Sequence, residues 1–226
     1  MKEKIYTIPV NEVFATDCEC PLCLLEQKIE NECIEYILGP SLMEPDSRIE
    51  SNIKGFCHSH YELLYNSRIN TQGLGLIIET HLAEQIKILK KSKDAENLNN
   101  NLKKLEKSCM ICDKINFTMN RYIDVIFYLW LNEPDFREAF SNSKGFCLKH
   151  FRTLVKGTKK YLKPKVAKEF MKNLVPIQIE NMERIEKEIA WFNKKSDYRF
   201  ADEPWGNSKD SVPRSIQKIT GFTDFK

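Results

Sequence analysis

Long apolar runs are missing from this 226-residue chain. The longest, Val125 to Leu131, is closed off by Asp124 and Asn132 and falls far short of the roughly 18 residues a membrane span needs. Glycine is scarce at 8 residues, which excludes collagen. A dominant charge is also lacking: 35 Lys and Arg stand against 32 Asp and Glu, and a net charge of +3 does not by itself argue for nucleic acid. With 42% hydrophobic and 30% charged residues, the composition suits a globular chain with a core, not a disordered chain or a coiled-coil rod. The N-terminal stretch Met1 to Val10 is too polar for a signal peptide, so a cytoplasmic protein without a membrane segment is expected. Period-two runs bounded by turn residues are absent, which points to an all-α fold. No Ser/His/Asp arrangement, phosphate loop, HExxH or GxGxxG is present.

Cysteine, by contrast, is abundant. The eight lie at positions 18, 20, 23, 33, 57, 109, 112 and 147, and in a reducing compartment they need an explanation other than disulfides. Two phrases hold six of them. Cys20-Pro21-Leu22-Cys23 is followed by Gly55-Phe56-Cys57-His58-Ser59-His60, and Cys109-Met110-Ile111-Cys112 by Gly145-Phe146-Cys147-Leu148-Lys149-His150. Between the copies, Glu44-Pro45-Asp46 recurs as Glu133-Pro134-Asp135, and Ser51-Asn52 as Ser141-Asn142. The shared order and register indicate a tandem duplication.

Apolar residues within each copy recur at helical steps, as in Leu22, Leu25, Ile29, Cys33 and Ile37, or Ile115, Met119, Tyr122, Ile126 and Leu129. Gly39-Pro40 and Asn132 with Pro134 end these helices. A second helix is expected from each CxxH. A third is expected over 76–91 in one copy and over 166–192, kinked at Pro176, in the other. The expected organisation is a three-helix metal-binding unit over 1–95, a second over 102–195, and a C-terminal loop and short helix over 196–226. The Asn-rich stretch 92–101 reads as the linker, with Leu98, Leu102 and Leu105 spaced so as to allow a short helix leading into Cys109.

A CxxC brings two sulfurs to one metal, and a CxxH supplies two further ligands. Three thiolates and one imidazole suit a closed tetrahedral zinc site. The chain is therefore expected to hold two Zn²⁺, one on Cys20, Cys23, Cys57 and His60 and the other on Cys109, Cys112, Cys147 and His150. Four protein ligands leave no open position for a catalytic water, so the metals are expected to be structural and the protein non-enzymatic. The alternative is an iron–sulfur or thiol redox protein using the same cysteines. An enzyme using Asp202, Glu203, Trp205 and Asp210 has no positive support in the sequence. Cys33 lies on an apolar stripe and reads as core, Cys18 as a spare thiol or substitute ligand, His58 as surface and His81 as a structural histidine.

The CPxC…GFCxxH pair, its second copy and the closing Asp202-Glu203-Pro204-Trp205-Gly206 segment resemble a family of Gram-positive bacterial proteins of unknown function. The resemblance covers nearly the whole chain and implies bacterial origin, without an activity.

Charge is unevenly spread. Residues 1–60 carry five Lys and Arg against eleven Asp and Glu, whereas residues 144–173 carry ten against Glu169 alone. Lys149, Arg152, Lys156, Lys159, Lys160 and Lys163 recur at helical spacing, and the equivalent stretch of the first copy lacks them. Such a face is either a solvated surface or a dock for a polyanion, whether an RNA or DNA backbone or an acidic protein.

Overall fold

The computed structural model describes residues 6–92 and 94–222. The first five residues of the N-terminal segment lie outside them. Eleven α-helices and no strand occur among the described residues. In chain order they are α1 (Thr7–Phe14), α2 (Pro21–Leu38), α3 (Pro45–Lys54), α4 (His58–Asn66), α5 (Thr71–Lys91), α6 (Ala95–Glu106), α7 (Met110–Asn132), α8 (Pro134–Ser141), α9 (Leu148–Tyr161), α10 (Pro164–Lys194) and α11 (Ser211–Thr220). Proline opens α2, α3, α8 and α10, where its missing N–H has no intrahelical partner to lose.

The expected all-α architecture is observed, with more helices than the periodicity indicated. Each Glu-Pro-Asp phrase starts a short helix, α3 or α8, so the order CxxC helix, short helix, CxxH helix, long helix occurs twice. The stretch expected as linker is largely helical: the Asp94 carboxylate caps α6 by accepting from Asn97 N–H at 2.7 Å. α10 continues through Pro176 for 31 residues.

Compact packing does not divide the chain at the repeat boundary. One unit comprises the residues up to Gln27 together with those from Met119 onward; the other spans Lys28–Thr118. The first has an aromatic core. Phe140 is fully buried, with ring centroids of Phe14, Phe146 and Phe170 at 5.7, 5.4 and 5.4 Å. Phe170 in turn meets Phe127 and Trp130. The second unit has an aliphatic core that includes Ile37, Leu64, Leu74 and Ile77. There the Arg48 guanidinium ties α3 to α5 by donating to the Leu76 carbonyl (3.0 Å) and the Thr80 hydroxyl (2.8 Å).

The C-terminal segment is locked onto the first unit. Lys195 Nζ donates to the carbonyls of Phe200, Ala201 and Glu203, and Trp191 donates to Pro204. This folds the Asp-Glu-Pro-Trp-Gly loop against the end of α10. From there α11 returns with a buried lysine. Lys218 Nζ donates to the carbonyls of Glu19 (2.7 Å) and Lys144 (2.6 Å), and lies 2.9 Å from the Glu19 carboxylate. Arg184 (2.6 Å) and Arg214 (3.4 Å) complete the ring of cations around the buried Glu19 carboxylate.

Candidate metal centres

Each Gly-Phe-Cys-x-x-His phrase folds the same way. Gly55 and Gly145 take φ of 59° and 74°, a region that side-chain-bearing residues rarely adopt. A Cβ on Gly55 would lie 2.7 Å from the His81 ring, and one on Gly145 would lie 3.1 Å from Gln178 Oε1. The following phenylalanine is buried. The cysteine after it is extended and becomes the N-cap of α4 or α9, so the histidine falls in that helix's first turn. Gln178 fixes the second turn in place: Phe146 N–H donates to its Oε1 at 3.0 Å, and its Nε2 donates to the Phe146 carbonyl at 2.9 Å. On the other turn His81 Nδ1 lies 2.8 Å from the Asn52 carbonyl and donates to it. His81 therefore has the structural part expected of it.

All eight residues expected as ligands are gathered into two tetrads, each within one compact unit. Their pairing differs from expectation: Cys20 and Cys23 meet Cys147 and His150, whereas Cys57 and His60 meet Cys109 and Cys112. The first CxxC is thus completed not by the next CxxH along the chain but by the one after it, and the second CxxC by the CxxH preceding it; the expected in-sequence pairing is corrected. The chain path gives the reason for the second tetrad. Met110 N–H donates to the Gly55 carbonyl at 3.1 Å, and Ser108 Oγ to the Lys54 carbonyl at 2.6 Å, which seats the start of α7 against the turn before Cys57.

The four donor atoms of each tetrad lie within 4.8 Å of one another. His150 Nδ1 is 3.5, 3.4 and 3.2 Å from the sulfurs of Cys20, Cys23 and Cys147. His60 Nδ1 is 3.1, 3.2 and 3.4 Å from those of Cys57, Cys109 and Cys112. Sulfur–sulfur separations are 3.6 Å for Cys23–Cys147 and 3.9 Å for Cys57–Cys112. All eight cysteines are free. Sulfurs at about 2.3 Å and a nitrogen at about 2.0–2.1 Å from a central ion define a tetrahedron with S···S edges of about 3.8 Å and N···S edges of about 3.5 Å. Both clusters can hold a metal ion on this geometry. Each also lies at the N-termini of two helices, α2 and α9 or α4 and α7, where backbone dipoles favour negative charge.

The two clusters differ in cover. Cys20, Cys23, Cys147 and His150 are all buried, whereas Cys57 and Cys112 are partly exposed. Burial opposes charge on both histidines, but the facing sulfurs and a carboxylate beyond the ring prevail, so the imidazolium of His60 persists to about 10 and that of His150 to about 11. Burial likewise pushes the Cys112 thiol up to about 12, with neighbouring Cys109 acting in the same direction. Cys109 itself is drawn down to about 6: burial opposes this, and hydrogen bonding from His60 outweighs it. A metal entering either tetrad must displace such protons.

Cys18 and Cys33 stand outside both tetrads, each half-buried with its thiol raised by burial, Cys18 to about 11. His58 is exposed, as expected of a surface residue. Within the basic stripe, Lys149 is taken up by Glu26 at 2.6 Å. Arg152, Lys156, Lys159, Lys160 and Lys163 are exposed, and α10 adds exposed Lys165, Lys168 and Lys172. The buried network of Glu19, Arg184, Arg214 and Lys218 was not anticipated, because each reads in sequence as an ordinary surface charge. No helix among the described residues is long and apolar enough to cross a membrane.

No curated protein and no solved structure matches the chain. A family model does, over residues 1–226, and the chain belongs to that family of unknown function, DUF6062.

Proposed function

We propose that the protein is a non-enzymatic helical scaffold held together by two structural zinc ions, acting as an adaptor or regulatory module. The observation that carries this reading is the pair of closed Cys3His tetrads with the edge lengths of a single tetrahedral ion. Cys20, Cys23, Cys147 and His150 hold one ion; Cys57, His60, Cys109 and Cys112 hold the other. Four protein ligands leave no position for water, which suits a structural role. Three thiolates with Zn²⁺ carry a net charge of −1, which the flanking helix N-termini favour. Element analysis of protein purified without added metal should give two zinc per chain. One or none, or iron in their place, contradicts the reading.

The alternative, thiol redox chemistry, draws on the partly exposed Cys57 and Cys112, whose sulfurs lie 3.9 Å apart. Iron–sulfur chemistry gives a brown protein, and zinc thiolates a colourless one.

Arg152, Lys156, Lys159, Lys160 and Lys163 give the scaffold a docking face for a polyanion, with nucleic acid backbone the partner of matching charge. Support comes from their exposure and from residues 144–173 holding one acid, Glu169, itself paired with Arg137. Binding should weaken steeply with salt, with a log–log slope of about 0.7–0.9 per phosphate contacted. Charge reversal at Lys156 and Lys160 should abolish it without changing zinc content. Equal and poor binding by wild type and reversal variant at low salt would leave this only a solvated face.

A further inference from the structure

The tetrads account for one nitrogen of each histidine and leave the other to be explained. His60 Nε2 lies 3.0 Å from Glu30 Oε1, and His150 Nε2 lies 3.3 Å from Glu26 Oε2. Both carboxylates come from residues of α2. Neither belongs to a tetrad. Both histidines are buried, at 5% and 3% exposed, and each ring has sulfur on one side and carboxylate on the other.

We propose that Glu26 and Glu30 are the positioning residues of the two metal centres. A neutral imidazole carries a single N–H. A carboxylate acceptor at Nε2 holds the proton there, leaves the Nδ1 lone pair facing the three sulfurs and fixes the ring plane. Glu26 and Glu30 thereby set the ligand strength of His150 and His60. The two differ in kind: Glu30 serves His60, whereas Glu26 divides its charge between His150 and Lys149 Nζ at 2.6 Å. Loss of Glu30 should therefore weaken its centre more than loss of Glu26 weakens the other. This inference rests on the metal reading above, because a positioning residue needs a ligand to position.

The test uses the full chain loaded with zinc and titrated with a competing chelating indicator. Glu30→Ala should still bind two zinc ions but hold one of them about 10–100-fold more weakly, with Glu30→Gln between it and wild type. Glu26→Ala should show a smaller loss at the other centre. Nitrogen-15 spectra of the zinc-loaded histidine rings should show Nε2–H on both rings in wild type. The Glu30→Ala substitution should shift the His60 Nε2–H signal and leave His150 unchanged. A role confined to packing would lower the melting temperature and move neither affinity nor ring signals. Wild type with two zinc ions, and variants matching it in affinity and ring signals, overturns the positioning role alone. Wild type without bound metal overturns this inference together with the reading beneath it.

Discussion

Gly145 shows how much of each centre depends on one backbone conformation. Its φ of 74° lets the chain turn so that Phe146 enters the core and Cys147 caps α9 with its sulfur toward His150. An added Cβ meets Gln178 Oε1 at 3.1 Å, the atom that receives Phe146 N–H. Gly145→Ala should destabilise the fold by at least about 1 kcal/mol, from strain at positive φ. It should also loosen the metal of the Cys20, Cys23, Cys147 and His150 centre. Thermal melting and chelator competition check both effects, and unchanged metal affinity would separate the turn from the centre. The ligands themselves were legible in sequence because CxxC and GFCxxH each occur twice at matched spacing. Cys18 and Cys33 were left outside that pattern, and the structure leaves them outside the tetrads.

At the scale of elements, legibility followed apolar periodicity. α2 and α7 were evident because they bury long stripes, and their observed ends agree with Gly39-Pro40 and Asn132. α3 escaped because its buried residues are Ser47 and Ser51, which give no apolar signal. α11 was expected, but its anchor was not, since Lys218 reads as a surface charge until Glu19 and two carbonyls are seen around it. Glu19 is the centre of that anchor. Burial raises its carboxyl pKa, but Arg184 and Lys218 outweigh burial and hold it below the usual 4.5. A carboxyl lowered on folding stabilises the native state above its unfolded value near 4.5, and that contribution is lost as pH falls through the lower folded value. Glu19→Gln leaves Arg184, Arg214 and Lys218 without their common anion and should cost about 3–5 kcal/mol at neutral pH. Denaturant titration at pH 7 and at pH 3 should show the wild-type advantage shrinking in acid. An equal advantage at both pH values would deny the network its electrostatic role.

For the whole molecule, the sequence spacing permitted two arrangements of the same eight ligands and could not choose between them. A CxxC and a CxxH satisfy zinc equally well from one copy or from different copies, and the choice rests on where the intervening helices place the segments. In the structure the first centre joins residues 124 positions apart, Cys23 and Cys147, and the second joins Cys57 to Cys112. With a metal bound, such closures would constrain the unfolded chain more than the shorter in-sequence pairing of Cys23 with Cys57, although entropy grows only slowly with loop length. The zinc content of two double variants tests this exchanged pairing most directly. Cys23→Ser with Cys147→Ser removes two ligands from one centre and leaves the other whole, so one zinc should survive a competing chelator. Cys23→Ser with Cys57→Ser removes one ligand from each, so neither centre should keep its zinc at wild-type affinity. The reverse outcome, with one tight zinc in the Cys23/Cys57 variant and none in the Cys23/Cys147 variant, would contradict the account.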